Sequence, residues 1–218
     1  MNIAIDGPAG AGKSTIAKRV AARLGYIYVD TGAMYRAMAL FMMRNGVTRE
    51  DTSRVPELVK DADISIRHEG GEQAVFLGDE NVNSLIRTPE VSAMASVTSA
   101  NPEVRVRLVK LQQELAEKTS VVMDGRDIGS VVLPGAEVKI YLTASVECRA
   151  KRRYDELKEK GEDCDLSLIE KEIEERDYRD MHRENSPLVQ VADAVLVDTS
   201  DMSIDEVTER ILDISSGK

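Results

Sequence analysis

The chain has 218 residues, of which 42% are hydrophobic, and its 29 Lys and Arg against 39 Asp and Glu leave a formal net charge of −10. This length predicts one main domain with room for a small insertion. The acidic surplus opposes sequence-independent binding of nucleic acid, and no apolar run approaches the length of a membrane span, so we expect neither a nucleic-acid partner nor a membrane partner.

Five short apolar runs, each ending in Asp or a small residue, alternate with segments of helical pattern. Strands are predicted at residues 2–6, 26–30, 120–124, 138–144 and 194–198. Helices are predicted near residues 13–24, 33–45, 102–118, 146–160 and 203–215. This alternation predicts an α/β fold with a doubly wound, five-stranded parallel sheet flanked by helices, in which ligands bind at the carboxyl ends of the strands.

Residues 64–83 interrupt this alternation. They alternate polar and apolar side chains on either side of a Glu-Gly-Gly-Glu turn, a pattern typical of an antiparallel hairpin. We expect a single domain over 1–218, with a core at 1–60 and 100–218 and a small inserted antiparallel β subdomain at about 61–99.

A phosphate-binding loop is indicated at residues 7–14, because GPAGAGKS fits G-x-x-x-x-G-K-[ST] and lies directly between a predicted strand and a predicted helix. The backbone N–H groups of such a loop surround a phosphate at the helix N-terminus. Lys13 would contact the β- and γ-phosphates, and the Ser14 hydroxyl would bind Mg²⁺. A glycine-rich turn that binds nothing is disfavoured by the lysine and the hydroxyl. The predicted ATP-binding residues are Gly7, Pro8, Ala9, Gly10, Ala11, Gly12, Lys13, Ser14 and Thr15.

Asp124, at the end of a predicted strand, has two interpretations. It could hold Mg²⁺ through water, or it could form a turn or cap a helix. The geometry of a doubly wound sheet favours the metal role, because it brings this strand end near the loop.

The type of reaction is narrowed by two motifs that the sequence lacks. No N-K-x-D tetrad for guanine occurs, and no L-S-G-G-Q signature of a transport ATPase, so we expect a small phosphotransferase. Such an enzyme needs arginines around the transferred group. Single arginines occur at Arg36, Arg105 and Arg126, and two groups follow at Arg149, Arg152, Arg153 and at Arg176, Arg179, Arg183.

The two arginine groups differ in how firmly they indicate function. The first lies on one helical face before DELKEKGEDCD, which predicts a lid at about 149–166. The second group is predicted on one face of a single helix, together with Asp180. For this group, surface pairs of Glu172 with Arg176 and of Glu175 with Arg179 are an equally good explanation.

Two short segments indicate an acceptor site. In MDGRDIGS, residues 123–130, a turn would need glycine and aspartate but not Arg126, which could bind a phosphate while Asp127 accepts from an amino group. In DTGAMYRAM, residues 30–38, Thr31 begins a helix whose Arg36 is expected to face the strand ends. The apolar residues of that helix, including Met38 and Met42, are interpreted as core.

The chain resembles the bacterial cytidylate kinases, of the nucleoside monophosphate kinase group, over nearly its whole length. The segments that carry the resemblance are IAIDGPAGAGKST, DTGAMYRA, TSANPEVRVRL, DGRDIGSVVLPGAEVKIYLTAS, RAKRR and ERDYRDMHRENSPL. The resemblance implies transfer of a phosphoryl group from ATP to CMP or dCMP, with Mg²⁺.

The resemblance also implies roles for particular residues. The implied acceptor-binding residues are Thr31, Arg36, Ser96, Arg105, Arg126, Asp127, Arg176, Asp180 and Arg183. The implied catalytic residues are Lys13, Arg126, Arg149, Arg153 and Arg176. An Asp127 carboxylate would accept from the amine of cytosine but would meet the keto oxygen of uracil as a second acceptor, so UMP should be a poorer substrate.

Two other functions stay open at this stage, a regulatory module that hydrolyses nucleotide slowly and a kinase for another small acceptor. No long exposed apolar stripe is indicated, so a monomer is expected.

Cys148 and Cys164 lack a secretory context, which favours reduced thiols in a cytoplasmic protein.

Overall fold

The computed structural model describes residues 1–69 and 72–217. The central glycines of the predicted Glu-Gly-Gly-Glu turn, Gly70 and Gly71, lie outside the described residues. The chain divides into two compact units, which are described separately: unit 1 is Met1–Ile27 with Ser120–Lys218, and unit 2 is Tyr28–Thr119. The predicted limits of core, insertion and lid stay predictions.

The strands fall into one parallel sheet and one antiparallel sheet. In chain order they are β1 (Ile3–Asp6), β2 (Ile27–Asp30), β3 (Ile64–Glu69), β4 (Glu72–Leu77), β5 (Glu80–Asn81), β6 (Val121–Gly125), β7 (Val138–Thr143) and β8 (Val195–Asp198). The parallel sheet has the order β2-β6-β1-β7-β8. The predicted doubly wound, five-stranded sheet is therefore confirmed. Its central strand, β1, is fully buried at Ile3, Ala4 and Ile5, because both of its faces are covered.

The helices agree closely with the periodicity of the sequence. They are α1 (Lys13–Leu24), α2 (Thr31–Arg44), α3 (Val55–Leu58), α4 (Pro89–Thr98), α5 (Pro102–Lys118), α6 (Val146–Glu159), α7 (Leu166–His182) and α8 (Ile204–Ser215). The sequence analysis missed α3 and α4, because α3 is a single turn and α4 consists mostly of small residues. A π-helical turn at Ile128–Val132 also has no clear sequence signal.

Unit 2 contains the small antiparallel sheet, in the order β3-β4-β5. The prediction of an antiparallel hairpin is confirmed, and β5 adds a short third strand. The core of this unit is formed by α2, where Met34, Met38 and Met42 are buried, and by residues of α4 and α5 that pack with them. Met38 and Met42 are thus core residues, as predicted.

Two further features lie outside the site, the state of the cysteines and the character of the helices. Cys148 and Cys164 are free thiols. Among the described residues, no helix combines the length and the apolar character that a membrane crossing requires.

Candidate nucleotide-binding site

The glycine loop of unit 1 joins β1 to α1 and depends on glycine at its two ends. A Cβ at Gly7 would lie 1.9 Å from the Leu142 carbonyl oxygen, so no other residue fits there without a shift of the backbone. Gly12 caps α1 with φ of 89°, in the left-handed region that favours glycine. The loop therefore opens directly onto the N-terminus of α1, where backbone N–H groups can bind phosphate.

Lys13 is the first residue of α1 and is only 6% exposed. Its Nζ donates a hydrogen bond to the Pro8 carbonyl oxygen at 2.7 Å, within the loop itself. Burial lowers the pKa of Lys13 well below its usual value, and Arg126 lowers it further, while Asp124 and Asp6 act to raise it. A polyphosphate would supply the anionic partner that favours the charged ammonium.

Ser14 and Asp124 are brought together across unit 1. The Ser14 hydroxyl donates to Asp124 Oδ2 at 2.9 Å, and Asp124 is 6% exposed. A hydroxyl and a carboxylate are hard oxygen ligands of the kind that Mg²⁺ prefers. No group of three or more His, Cys, Asp or Glu in the described part of the chain could hold a metal ion. This donor pair suits Mg²⁺, which typically takes only one or two carboxylates plus water and substrate phosphates.

Asp6, the last residue of β1, is a site residue that the sequence analysis did not name. Its carboxylate accepts the backbone N–H groups of Ile128 at 2.8 Å and Gly129 at 2.7 Å, which fastens the turn after Asp127 to β1. Burial raises the pKa of Asp6 to about 6, although the two N–H groups act to lower it. Its position at a strand end, like that of Asp124, was the available signal.

The segment after β6 forms ion pairs with the end of α7 and with the residue that follows it. Arg126 Nε donates to Asp180 Oδ2 at 2.8 Å, and Arg183 Nη2 lies 3.5 Å from Asp127 Oδ1. Burial acts to raise the pKa of Asp180, but Arg126, with Arg176 and Arg183, holds it below the usual value. Four arginine and aspartate residues named from the sequence are thus clustered within unit 1.

The prediction that Arg183 shares a helical face with Arg176 is wrong in one respect. Helix α7 ends at His182, and Arg183 has φ of −65° and ψ of 142°, so it begins an extended segment. Its Nε donates to the Ser186 carbonyl oxygen at 2.6 Å. The side chain reaches Asp127 from this extended segment, which helical spacing could not indicate.

Arg149 and Arg153, both predicted in the lid, lie in different surroundings. Arg149 is 3% exposed and donates to the carbonyl oxygens of Ala144 at 2.9 Å and Ala9 at 3.0 Å. It also makes two bonds to the Asp177 carboxylate, at 3.1 and 2.6 Å. Arg153 is half exposed and pairs with Glu156. Arg149 thus supports the phosphate loop from behind, and Asp177 is a second residue that the sequence analysis missed.

In unit 2, Asp30 organises the start of α2. Its Oδ1 accepts the Ala33 N–H at 2.9 Å, and its Oδ2 accepts from Arg36 at 3.0 Å and lies 3.5 Å from Arg87 Nη2. Arg36 therefore faces the end of β2, as expected. Of the other predicted acceptor residues, Thr31 begins α2 and is 3% exposed.

The remaining two predicted acceptor residues of unit 2 lie on other helices. Ser96 is exposed on α4. Arg105 is buried on α5, with its guanidinium carbon 5.6 Å from the Tyr35 ring centroid.

A parallel sheet with a glycine loop, a buried lysine and a hydroxyl–carboxylate pair at the carboxyl ends of its strands defines a nucleotide-binding protein of the P-loop class. The family model "Cytidylate kinase" matches residues 3–216. The chain belongs to the cytidylate kinase family.

Curated relatives support this membership. The chain is 53% identical over 214 residues to a cytidylate kinase of Caldicellulosiruptor bescii, covering 98% of this chain and 95% of that one. It is 52% identical to a cytidylate kinase of Ligilactobacillus salivarius, with coverage of 98% and 96%. A solved structure of an uncharacterized protein from Eubacterium ventriosum covers 100% of this chain and 99% of its own, with a TM-score of 0.57 and 13% identity, and so shares the fold alone.

Proposed function

We propose that this enzyme transfers the γ-phosphoryl group of ATP to CMP or dCMP, giving ADP and CDP or dCDP. The observation that carries the proposal is the buried Lys13 at a P-loop, close to the charge of Arg126. It occurs in a chain that is about half identical to cytidylate kinases over nearly all of its length. A loop for a triphosphate and a second arginine-bearing segment are what transfer between two nucleotides requires.

The donor side is assigned to residues 7–15. Their backbone N–H groups bind the ATP phosphates, and Lys13 exchanges its bond to the Pro8 carbonyl for the β- and γ-phosphates. Ser14 would hold Mg²⁺ directly and Asp124 through water. When bound there, Mg²⁺ neutralises charge on the phosphates.

The acceptor side is assigned to charged and polar residues that the sequence analysis named. Arg36 and Arg126 bind the phosphate of CMP, because a guanidinium matches two phosphate oxygens. Arg126 would leave Asp180, which is free in turn to accept from the sugar hydroxyls. The further acceptor residues are Thr31, Ser96, Arg105, Asp127, Arg176 and Arg183.

Cationic side chains assist the transfer by neutralising charge on the phosphoryl group. A general base is not required. An oxygen of the acceptor phosphate attacks the γ-phosphorus in line with the leaving ADP oxygen, and no proton transfer by a side chain is needed. Lys13, Arg126 and Arg176 stabilise the spreading negative charge. Arg153 belongs to the proposed lid over ATP and has the exposure that contact with a nucleotide requires. The proposed catalytic role of Arg149 is indirect, because its guanidinium bonds the Ala9 carbonyl oxygen of the phosphate loop and the Asp177 carboxylate.

The first experiment measures ADP release from ATP with and without CMP. CMP or dCMP should stimulate release strongly, with little response to AMP or shikimate. Binding of ATP without stimulation by any acceptor would favour the regulatory module. A stronger response to another acceptor would favour a different small-molecule kinase.

The base preference is tested with Asp127→Asn. The amide nitrogen can donate to the keto oxygen of uracil, so the ratio of kcat/KM for CMP over UMP should fall by about tenfold. Glu209→Gln, an exposed residue of α8, is the matched control and should leave the ratio unchanged. An unchanged ratio in Asp127→Asn would mean that another residue distinguishes the bases.

The monomeric state and the cytoplasmic location stay predictions. Gel filtration at several protein concentrations measures the first, and localisation of the tagged chain in cells measures the second.

A further inference from the structure

The last residue of β2 is held by a side chain of the small antiparallel sheet. Gln73 of β4 accepts the backbone N–H of Asp30 through Oε1 at 2.8 Å and donates through Nε2 to the Asp30 carbonyl oxygen at 3.2 Å. One carboxamide therefore satisfies both backbone groups of one residue, as a neighbouring strand would do. β2 stands at one end of the strand order, so no further strand among the described residues pairs with this edge of the parallel sheet.

Asn83 fixes the position of Gln73, and His68 makes a separate contact with β2. The Asn83 side chain donates to the Gln73 carbonyl oxygen at 2.9 Å and accepts the Val75 N–H at 2.9 Å, so the backbone of β4 is held at Gln73 and at Val75. His68, directly opposite Gln73 in the sheet, donates from Nε2 to the Tyr28 carbonyl oxygen at 3.2 Å. Gln73 and His68 therefore contact β2 at two separate residues, Asp30 and Tyr28.

The carboxylate of Asp30 continues this chain of contacts to Arg36. In the described part of the chain, the hydrogen bond that we find from the Arg36 guanidinium goes to Asp30 Oδ2, and Arg36 Nε is buried without a partner. The backbone position of Asp30 therefore decides where the guanidinium lies. Gly32 leaves the necessary space, because a Cβ there would lie 3.1 Å from Arg36 Nη1 and 3.2 Å from Asp30 Oδ1.

We infer that Gln73 is a positioning residue for the acceptor site, acting through Asp30 on Arg36. The small antiparallel sheet then does more than enlarge unit 2, because its β4 sets the direction of a phosphate-binding arginine. This inference rests on the proposed CMP kinase activity and on the proposed role of Arg36. Since the side-chain hydrogen bonds of Gln73 go to the backbone of Asp30, its effect should appear in the KM for CMP and not in the KM for ATP.

The test uses Gln73→Met, which keeps the length of the side chain and removes both hydrogen bonds. The KM for CMP should rise about tenfold, with the KM for ATP unchanged within about twofold. His68→Ala is the matched control, because it removes the other contact to β2 without touching Asp30; it should change the KM for CMP by less than about twofold. Gly32→Ala, which moves Arg36 directly, should raise the KM for CMP without lowering the unfolding temperature.

A double-mutant cycle separates positioning from general stability. In an Arg36→Ala background, Gln73→Met should have no further effect on the KM for CMP. The inference is overturned if Gln73→Met leaves this KM unchanged, raises the KM for ATP equally, or has its full effect without Arg36. Absence of CMP-stimulated ADP release in the unmodified enzyme would instead overturn the proposed function, and the inference with it.

Discussion

Two sets of charged residues within unit 1 differ sharply in their surroundings. The loop-side charges are each at most 9% exposed and comprise Asp6, Lys13, Asp124, Arg149 and Asp177. The outer-face charges have side chains between 48% and 87% exposed and comprise Arg19, Arg23, Arg153, Asp205 and Glu209. Both sets include ion pairs, such as Arg149 with Asp177 in the first and Arg23 with Glu209 in the second, but only the first set is removed from water.

The two sets are expected to differ in their effect on the free energy of unfolding. Exposed pairs such as Arg23 with Glu209 contribute little, because water screens them and long side chains lose entropy when they are fixed. Buried charges cost free energy unless each one is fully bonded. Arg149 is fully engaged, whereas Lys13 has a lowered pKa and one bond to a carbonyl oxygen. A site that is electrostatically incomplete in this way is suited to an anionic substrate.

The largest effect is expected from Lys13→Ala. Without the ammonium, negative charge on the transferred phosphoryl group is not neutralised, so kcat should fall about 1,000-fold, or about 4 kcal/mol of transition-state stabilisation. Steady-state ADP release measures this, with Lys18→Ala on the exposed side of α1 as the control. A loss of less than about tenfold would mean that Lys13 is a buried structural charge.

Breaking the buried ion pair comes next. Asp177→Ala leaves the Arg149 guanidinium buried without its carboxylate and should lower the free energy of unfolding by about 3 to 5 kcal/mol. Urea denaturation measures the loss, and Glu209→Ala, which breaks an outer-face pair, should cost less than about 1 kcal/mol. Equal losses in the two variants would remove the distinction between the two sets of charges.

The raised pKa of Asp6 predicts a specific dependence of stability on pH. Because the pKa rises from 3.8 to about 6 on folding, the folded state keeps a proton that the unfolded state has lost, and the enzyme loses stability as pH rises between these values. Asp6→Asn does not titrate, so its stability relative to the unmodified enzyme should improve by about 2 kcal/mol from about pH 4 to about pH 7. A difference that is constant with pH would contradict burial as the main influence on Asp6.

The smallest effect on stability is expected from Arg153→Ala. Its pair with Glu156 is half exposed, so the free energy of unfolding should change by less than about 0.5 kcal/mol. A fall in kcat of Arg153→Ala without a loss of stability would support the proposed lid role. The control Arg23→Ala should lower neither kcat nor the free energy of unfolding. A loss of more than about 2 kcal/mol would place Arg153 among the structural charges.

Local patterns were sufficient for most of the fold. The five strands and the main helices follow from apolar runs and helical periodicity, which depend on neighbours in the sequence. The phosphate loop was equally predictable, because Gly7, Gly12, Lys13 and Ser14 act together within one short segment.

The tertiary structure alone decided which charges are buried and which partners they have. Asp6 binds N–H groups 122 and 123 residues away, Arg149 pairs with Asp177 28 residues away, and Gln73 holds Asp30 from 43 residues away. Helical spacing described Arg149 and Arg153 as equivalent, yet one is buried and the other is not. Such contacts depend on how the strands are ordered and how the helices pack, and residue spacing carries no information about either.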